Sequence, residues 1–459
     1  MIDIIIVFSY LVILLLVGIL QRSRLKGFKS FSRVGSKFQV SKLVLVATIF
    51  ASSIGGGTTF GIAEKAFAGN VAYSYGLFLA IPIDILIAVY IIPRIIKHYG
   101  AETVGDIMHV YYGNTGRYIT GLSAILVSIG LIAAQISVSG RIFEYILQID
   151  YIWGVIISYA IIVIYTTVGG LRSVLFANQL QFFAILLAIP VISIFGLYQI
   201  GFDNFISTIP SYKISFSENP DLVSMTIAAT LGFTVMNLFP TFIQRALINK
   251  DHQATSKALY INSVIYAFFL IFVTINGLIA FIKYPEVKAS LALPYLIDHM
   301  IPTGIQGLVV VGLLAAVMST ADSDLNITSV TIVKDFLSPI FNIKNQTRML
   351  IIARIVNVAI GSLAIVIALS FSQVVDLVIF IAGFWGPIVI VPLVMALFGK
   401  VITHIGMAIS CASGATSFIM WEQFFAQDYS FKGVFIGTMV NLIVFMVFYK
   451  HEPTTTKSV

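Results

Sequence analysis

Residues 51–60 have the sequence Ala-Ser-Ser-Ile-Gly-Gly-Gly-Thr-Thr-Phe and lie within an apolar stretch that runs from 42 to 68. Such a stretch can cross a hydrocarbon core roughly 30 Å thick. Three consecutive glycines make a poor helix, because each costs about 1 kcal/mol relative to alanine. Close helix packing through small residues is the alternative explanation, but these glycines are continuous and not spaced four apart. The sequence therefore predicts a membrane helix with an unwound centre.

A second interruption follows five helices later, where residues 237–241 are Asn-Leu-Phe-Pro-Thr. Pro240 removes a backbone hydrogen-bond donor, so an ordinary proline kink is one explanation. Interrupted helices at corresponding positions of two halves are also typical of inverted-repeat transporters, where they indicate a binding site at the membrane midplane.

The composition excludes a water-soluble protein. Of 459 residues, 59% are hydrophobic and 10% are charged, whereas soluble domains carry about a quarter charged residues. Lipid cannot hydrogen-bond a backbone, so the apolar segments must be helices, and the alternating polarity of barrel strands is not visible. We expect an all-α polytopic membrane protein with about thirteen transmembrane helices, at 2–20, 42–68, 74–97, 117–149, 152–169, 173–200, 222–248, 257–283, 303–335, 347–370, 373–398, 402–426 and 431–449.

Lysine and arginine concentrate in cytoplasmic loops, which gives the orientation. With the loop after the first helix inside, the 27 basic residues divide into 21 inside and 6 outside. The N-terminus is then outside and the C-terminus cytoplasmic. The positive charge is thus an orientation signal, not a nucleic-acid surface. We expect a multi-pass protein of the plasma membrane, or of a bacterial inner membrane, with the lipid bilayer and a small-molecule solute as partners and no obligate protein partner.

Five regions follow from this arrangement. They are an additional N-terminal helix with a basic cytoplasmic loop (1–41), a first five-helix repeat (42–200), an outer connecting loop (201–221), a second five-helix repeat (222–398), and two peripheral helices with a short cytoplasmic tail (399–459).

Polar residues are concentrated in the predicted helix 303–335. Ala316, Ser319, Thr320 and Ser323 share one helical face, and hydroxyl and carbonyl oxygens suit a hard cation such as Na⁺. Packing between helices would also explain the hydroxyls. Two acids in this segment, Asp322 and Asp324, suggest an ion or proton pathway, unless both lie in a cytoplasmic vestibule. The matching carbonyl oxygens would come from the unwound residues 51–55.

The unwound segment also offers backbone N–H groups and hydroxyls to a solute, which suits a carboxylate. Other polar and aromatic residues are candidates for the same pocket, although single aromatic residues also anchor helices at the lipid interface and Gln135 could bond a neighbouring helix. The solute-site candidates are Gly55, Gly56, Gly57, Thr58, Thr59, Tyr73, Tyr75, Gln135, Asn237 and Trp385.

Five sequence features, in this order and spacing, resemble the sodium:solute symporter family. They are the polar break at 51–61, Thr103-Val-Gly-Asp-Ile107, Gly169-Gly-Leu-Arg172, Gln244-Arg245 with Lys250 and Ala254, and Ala316-Val-Met-Ser319-Thr320. The resemblance covers roughly residues 1–400 and implies the inverted 5+5 repeat of the leucine-transporter (LeuT) fold, with one extra N-terminal and two extra C-terminal helices. It also implies a sodium site made by backbone oxygens of Ala51, Ile54 and Ala316 and the hydroxyls of Ser319 and Thr320.

One departure from the family pattern concerns a second cation. Several relatives have an acid on the sixth helix in a pattern like Trp-Thr-Asp, where this chain has Phe176-Ala-Asn178, while Asp322 stands where relatives often have a small hydroxyl residue. A second cation site at Asn178, Asp322 and Ser323 and proton coupling through Asp322 both remain open.

These observations predict a sodium-coupled symporter that imports a small polar organic solute, with Na⁺ as the coupling ion. Amino acids or carboxylates are favoured over sugars, because the positions near Phe239 and Ile379 are apolar where sugar-transporting relatives use asparagine and glutamine. A proton-coupled transporter and a sodium channel or sensor are the alternatives. An enzyme is not expected, because no catalytic arrangement is visible apart from Asp322 and Asp324.

Overall fold

The computed structural model describes residues 1–33, 40–236, 238–370, 383–425 and 433–451, and these ranges contain helices but no β-strand. Four segments of the described chain are π-helical, namely Gly57–Gly61, Ile87–Ile91, Ile332–Leu337 and Gly386–Ile390. The α-helices are α1 (Ile2–Gln21), α2 (Phe28–Ser32), α3 (Lys42–Ser53), α4 (Ile62–Ala68), α5 (Ala72–Leu86), α6 (Ile92–Ile96), α7 (Val104–Leu147), α8 (Tyr151–Ile200), α9 (Phe202–Thr208), α10 (Asp221–Met236), α11 (Pro240–Ala246), α12 (His252–Lys283), α13 (Ala292–Met300), α14 (Ile305–Thr331), α15 (Ser338–Ile340), α16 (Gln346–Ser370), α17 (Val391–Leu397), α18 (His404–Phe424) and α19 (Gly433–His451).

Eight of the described helices are long and apolar enough to cross a membrane, or nine if α3 and the bent segment after it form one span. Helix α8 is too long for one crossing, because 50 residues would extend about 75 Å. It reverses at Gly170, whose φ of 58° is the left-handed conformation that favours glycine. The Ser173 hydroxyl donates to the Tyr165 carbonyl at 2.9 Å, although residues eight apart along a straight helix are separated by about 12 Å. The turn predicted between 169 and 173 is therefore confirmed.

Helix α7 has a similar reversal that the sequence did not predict. Gly113 has φ 61°, and a Cβ on Gly116 would lie 2.7 Å from the Met108 carbonyl oxygen. The motif Thr103–Ile107, placed after the third helix by the sequence, thus opens a short helix, with the Thr103 hydroxyl accepting from the Asp106 N–H at 2.9 Å. The total of thirteen spans stays a prediction.

Both predicted interruptions are present. The axis of α3 is bent by 66° relative to the segment Gly57–Ala68, and α10 ends at Met236 before α11 restarts at Pro240. Proline fits the first position of a helix, where its missing N–H would have no partner. The two broken helices are therefore confirmed.

Helix α14 lies at the centre of the molecule. Every residue from Val309 to Thr331 is buried, and α7 and α8 are its principal neighbours. In α1, by contrast, the side chains of Ile5, Val12 and Leu20 are exposed, as expected for a helix with one face toward lipid. The polar residues of α14 therefore face other helices.

The outer connecting loop is fixed to the broken helix by Lys213, whose side chain is fully buried. Its ammonium group donates to the carbonyl oxygens of Ala66, Phe67 and Gly69 at 3.1, 2.7 and 2.8 Å. It also lies 4.1 Å from the centre of the Phe281 ring. A cation at the end of a helix satisfies carbonyls that have no helical partner, so Lys213 caps α4.

Candidate functional site

The break after α3 exposes two backbone carbonyl oxygens. In a continuous helix the Ala51 carbonyl would accept from the Gly55 N–H, but that N–H donates to the Thr58 hydroxyl at 2.8 Å. The Ile54 carbonyl would accept from the Thr58 N–H, which donates to Gly55 instead. Ile54 is extended, with φ −99° and ψ 113°. Both carbonyls are thus available to groups from another helix.

Helix α14 supplies the hydroxyls that meet these carbonyls. Ser319 donates to Ala51 at 2.7 Å and Thr320 donates to Ile54 at 2.9 Å. The Ala316 carbonyl also accepts from both hydroxyls, at 3.0 and 3.3 Å. The structure therefore brings together the five oxygens predicted to bind sodium. All five residues are at most 9% exposed, and oxygen-only ligands are the set that a hard cation prefers.

One turn along α14 lies a buried charged group. The Asp322 carboxylate accepts from the Tyr165 hydroxyl at 2.5 Å and from Ser323 at 3.0 Å. Arg245 is fully buried and donates to the Ser323 hydroxyl at 2.6 Å. The sequence had counted Arg245 among the charges of the cytoplasmic side. The structure instead places it within the helix bundle, where a buried cation needs acidic neighbours.

Asp324 is held by two other helices. It accepts from the Thr241 hydroxyl at 2.5 Å and from the Ser128 hydroxyl at 3.3 Å, and it is 3% exposed. The predicted alternative of a cytoplasmic vestibule for both acids does not match this burial.

The three residues proposed for a second cation are linked through Ser52. Asn178 donates to the hydroxyls of Thr48 and Ser52 at 3.0 and 3.4 Å, and the Ser52 hydroxyl lies 3.2 Å from that of Ser323. The Asn178 Oδ1 atom is buried and has no hydrogen-bond partner in the part of the chain that the structure describes. This oxygen and its hydroxyl neighbours suit a cation, whereas the Arg245 guanidinium at Ser323 opposes one by charge repulsion.

A cavity of about 140 Å³ lies beside the break. Gly55, Gly57, Thr58 and Gln135 line it, as the solute-site prediction requires. The Gln135 side-chain oxygen accepts from the Gly56 N–H at 2.7 Å. Four of the five N–H groups proposed for a solute carboxylate, those of Gly55, Gly56, Thr58 and Thr59, are therefore already bonded within the protein.

Four other described candidates, Thr59, Tyr73, Tyr75 and Trp385, are not among the residues that line this cavity. Thr59 donates to the Gly55 carbonyl at 2.9 Å, and Tyr73 packs against the hydrophobic core. The Tyr75 hydroxyl donates to the Ile214 carbonyl of the outer loop at 2.9 Å. Trp385 is fully buried and donates to the Leu238 carbonyl at 2.9 Å. Asn237 and Ile379 are outside the described residues.

Three polar cavity residues lie outside every motif named in the sequence analysis, namely Asp84, Asn262 and Tyr266. Asp84 accepts from the Ser263 hydroxyl at 2.8 Å, which connects α5 to α12. A single acid in the apolar segment 74–97 is a signal of function by the rule already applied to Asp322, and it could have identified Asp84. Asn262 and Tyr266 carry no comparable signal.

Comparison with known proteins adds a family and a fold. The family model described as the sodium:solute symporter family matches residues 36–414. Sodium/glucose cotransporter 1 of Ovis aries is 23% identical over 415 residues, which are 78% of this chain and 62% of that protein. Sodium/sialic acid symporter SiaT of Proteus mirabilis is 24% identical over 345 residues, covering 70% of this chain and 68% of that protein.

The solved structure of a substrate-bound, outward-open Na⁺-coupled sialic acid symporter superimposes with a TM-score of 0.87 at 20% identity. The match covers 99% of this chain and 98% of that chain. The LeuT-like fold expected from the sequence is thereby confirmed.

Proposed function

The chain belongs to the sodium:solute symporter family, whose members are secondary transporters and not enzymes, and on that premise we propose that it imports a small polar organic solute together with Na⁺ by alternating access. The observation that carries this proposal is the convergence of five buried oxygens from Ala51, Ile54, Ala316, Ser319 and Thr320. These residues would hold the transported Na⁺ between the broken helix and α14.

The shared break explains how ion and solute could be coupled. The carbonyls of Ala51 and Ile54 belong to the ion side of the break, while Gly57 and Thr58 line the solute cavity. An ion that fixes the break in one conformation also fixes the shape of the cavity. Coupling of this kind is reciprocal, so the solute raises the affinity for Na⁺ by the factor by which Na⁺ raises the affinity for the solute.

An amino acid or a carboxylate is the solute class that we favour over a sugar. Gly57 and Thr58 lie at the start of the helical segment after the break, where the positive end of the backbone dipole favours an anion. The named relatives transport glucose or sialic acid, so both belong among the test solutes.

The test is uptake by proteoliposomes that contain the purified protein. Amino acids, monocarboxylates, hexoses and sialic acid are supplied under an inward Na⁺ gradient and, in parallel, an equal K⁺ gradient. We expect at least one amino acid or carboxylate to enter faster with Na⁺. Equal rates for every solute under the two gradients would contradict symport, and a solute-independent Na⁺ flux would favour a channel.

Proton coupling through Asp322 is the second candidate, because this buried carboxylate is bonded by the Tyr165 and Ser323 hydroxyls. A proton-coupled transporter would take up solute under an inward proton gradient without Na⁺, and Asp322→Asn would abolish that uptake. If uptake without Na⁺ does not respond to the proton gradient, Asp322 has no coupling role of this kind.

A further inference from the structure

One part of the cavity wall carries an acid, Asp84, and two further residues with hydrogen-bond acceptor oxygens, Asn262 and Tyr266. Asp84 lies near the middle of the span Ala72–Ile96 and is 8% exposed. Asn262 on α12 precedes Ser263, the residue that donates to Asp84. Tyr266 lies one turn further on the same face of α12. Asp84, Asn262 and Tyr266 line the cavity, whereas Ser263 is not among its lining residues.

Asn262 is an independent sign of a ligand. Its side chain is 3% exposed, and its Oδ1 atom is buried without a hydrogen-bond partner among the described residues. Buried polar atoms are almost always hydrogen-bonded, because an unbonded one has lost its contacts with water without a replacement. An oxygen in this state at the edge of a cavity suits a donor that arrives with a ligand.

The other two charged residues of the cavity, Asp324 and Arg245, belong to a different hydrogen-bonded group. Asp324 accepts from Thr241 and Ser128, and Arg245 donates to Ser323 and Gln244 at 2.6 and 3.1 Å. These groups lie on α14 and α11, away from the contact between α5 and α12. The acidic group at Asp84 is therefore separate from the one at Asp324.

We propose that Asp84, Asn262 and Tyr266 form a subsite for a protonated amine of the transported solute. An ammonium group carries one positive charge and three N–H donors, which match a carboxylate, an amide oxygen and a phenolic oxygen. The substrate class is then a small solute with a free amine, and a zwitterionic amino acid would place its carboxylate toward Gly57 and Thr58. This inference rests on the proposed function and narrows its substrate class.

The first experiment compares matched solutes in proteoliposomes under a Na⁺ gradient. Each of the twenty common amino acids is set against its N-acetyl derivative, and lactate, pyruvate, glucose and sialic acid are added as solutes without a protonated amine. We expect uptake to require the free amine, with at least a tenfold loss on acetylation. Na⁺-driven uptake confined to solutes without an amine, or equal uptake of an amino acid and its N-acetyl derivative, would overturn the subsite.

The two proposals fail in different ways. Na⁺-driven uptake of lactate or glucose alone would overturn the subsite and leave symport intact. Amine-dependent stabilisation of the purified protein in a thermal-shift assay, without Na⁺-driven uptake, would support the subsite and contradict symport.

Variants then test the named residues with the best amine-bearing solute. Asp84→Asn should weaken binding of this solute about tenfold or more, because it removes the negative charge that would face the ammonium group. Asp84→Glu should recover part of the loss. Asn262→Ala gives a second test if Asp84→Asn does not fold, and Asp221→Asn, an exposed acid at the start of α10, is the control. A change in the Na⁺ requirement alone, with unchanged preference for the amine, would assign Asp84 to an ion and overturn the subsite.

Discussion

The hydroxyls of Ser319 and Thr320 each join α14 to a carbonyl of the broken helix. Replacement of both by alanine removes two oxygen ligands from the proposed sodium site. By analogy with a hydrogen bond to a charged group, each ligand contributes about 1.5–3 kcal/mol. We therefore expect the Na⁺ concentration for half-maximal uptake to rise at least tenfold, as measured in proteoliposomes.

The control for this pair is Ser329→Ala. Ser329 is a buried serine of the same helix, and its hydroxyl donates only to the Asn326 carbonyl at 2.9 Å. It should leave the Na⁺ requirement unchanged. An equal effect of Ser329→Ala, or no effect of the double replacement, would show that the five oxygens do not bind the coupling ion.

Among individual residues, the sequence could predict which side chains of one helix lie together, because helical periodicity determines this. Residues 316, 319 and 320 share a face whatever surrounds the helix, so their grouping followed from spacing alone. The bond from Ser263 to Asp84 joins positions 179 apart in the chain, and no local pattern indicates which helices are neighbours. For the same reason the burial of Arg245 against Ser323 was not foreseen.

Among the helical elements, the broken helix depends on glycine for its close approach to α7. A Cβ on Gly56 would lie 2.7 Å from the Val138 Cγ2 atom. Gly56→Ala should therefore destabilise the protein by about 1–3 kcal/mol, the usual cost of overpacking. Thermal unfolding in detergent would measure this loss.

The companion variant is Val138→Ala in the Gly56→Ala background, which removes the two Cγ atoms that would lie 2.7 and 3.1 Å from the added Cβ. The double variant should be more stable than the sum of the single effects predicts, since the two residues are in contact. Gly61→Ala is the control, because a Cβ there meets nothing within 4 Å. Strict additivity would argue that the break does not depend on this contact.

Lys213 connects the outer loop to the C-terminal end of α4. Lys213→Met keeps an unbranched side chain but removes the ammonium group. The carbonyls of Ala66, Phe67 and Gly69 then lack this donor. We expect a loss of about 2 kcal/mol in unfolding free energy, within the range for unsatisfied buried groups. Lys288→Met, at an exposed lysine of the same side, should change it little, and equal effects of the two would contradict the capping role.

Local sequence is sufficient to predict some helix boundaries but not others. The reversal at Gly170 follows from two apolar runs separated by a glycine pair, so it was predicted within two residues. The reversal at Gly113 was not, because the preceding helix contains Asp106, His109 and Tyr111 and has too much polar character to look like a span. Its stability comes from contacts such as the bond between Thr103 and Asp335 at 2.9 Å, which are distant in sequence.

For the whole molecule, the distribution of lysine and arginine still predicts the same orientation after two buried residues are left out of the count. Arg245 and Lys213 are fully buried and should not be counted as loop charges. Removing one from each side changes 21 and 6 to 20 and 5. The asymmetry on which the orientation depends is therefore preserved.

Cysteine labelling tests that orientation directly, because Cys411 is the sole cysteine of the chain and is 3% exposed. Lys288 and Lys344 are exposed lysines on opposite predicted sides. In intact cells a membrane-impermeant maleimide should label Lys288→Cys, whereas Lys344→Cys should react only after permeabilisation. The unmodified chain gives the background, and retained Na⁺-driven uptake shows that each variant folds. The opposite labelling pattern would place the N-terminus inside. Equal labelling of both sites in intact cells would mean that the one predicted span between them, 303–335, does not cross the membrane.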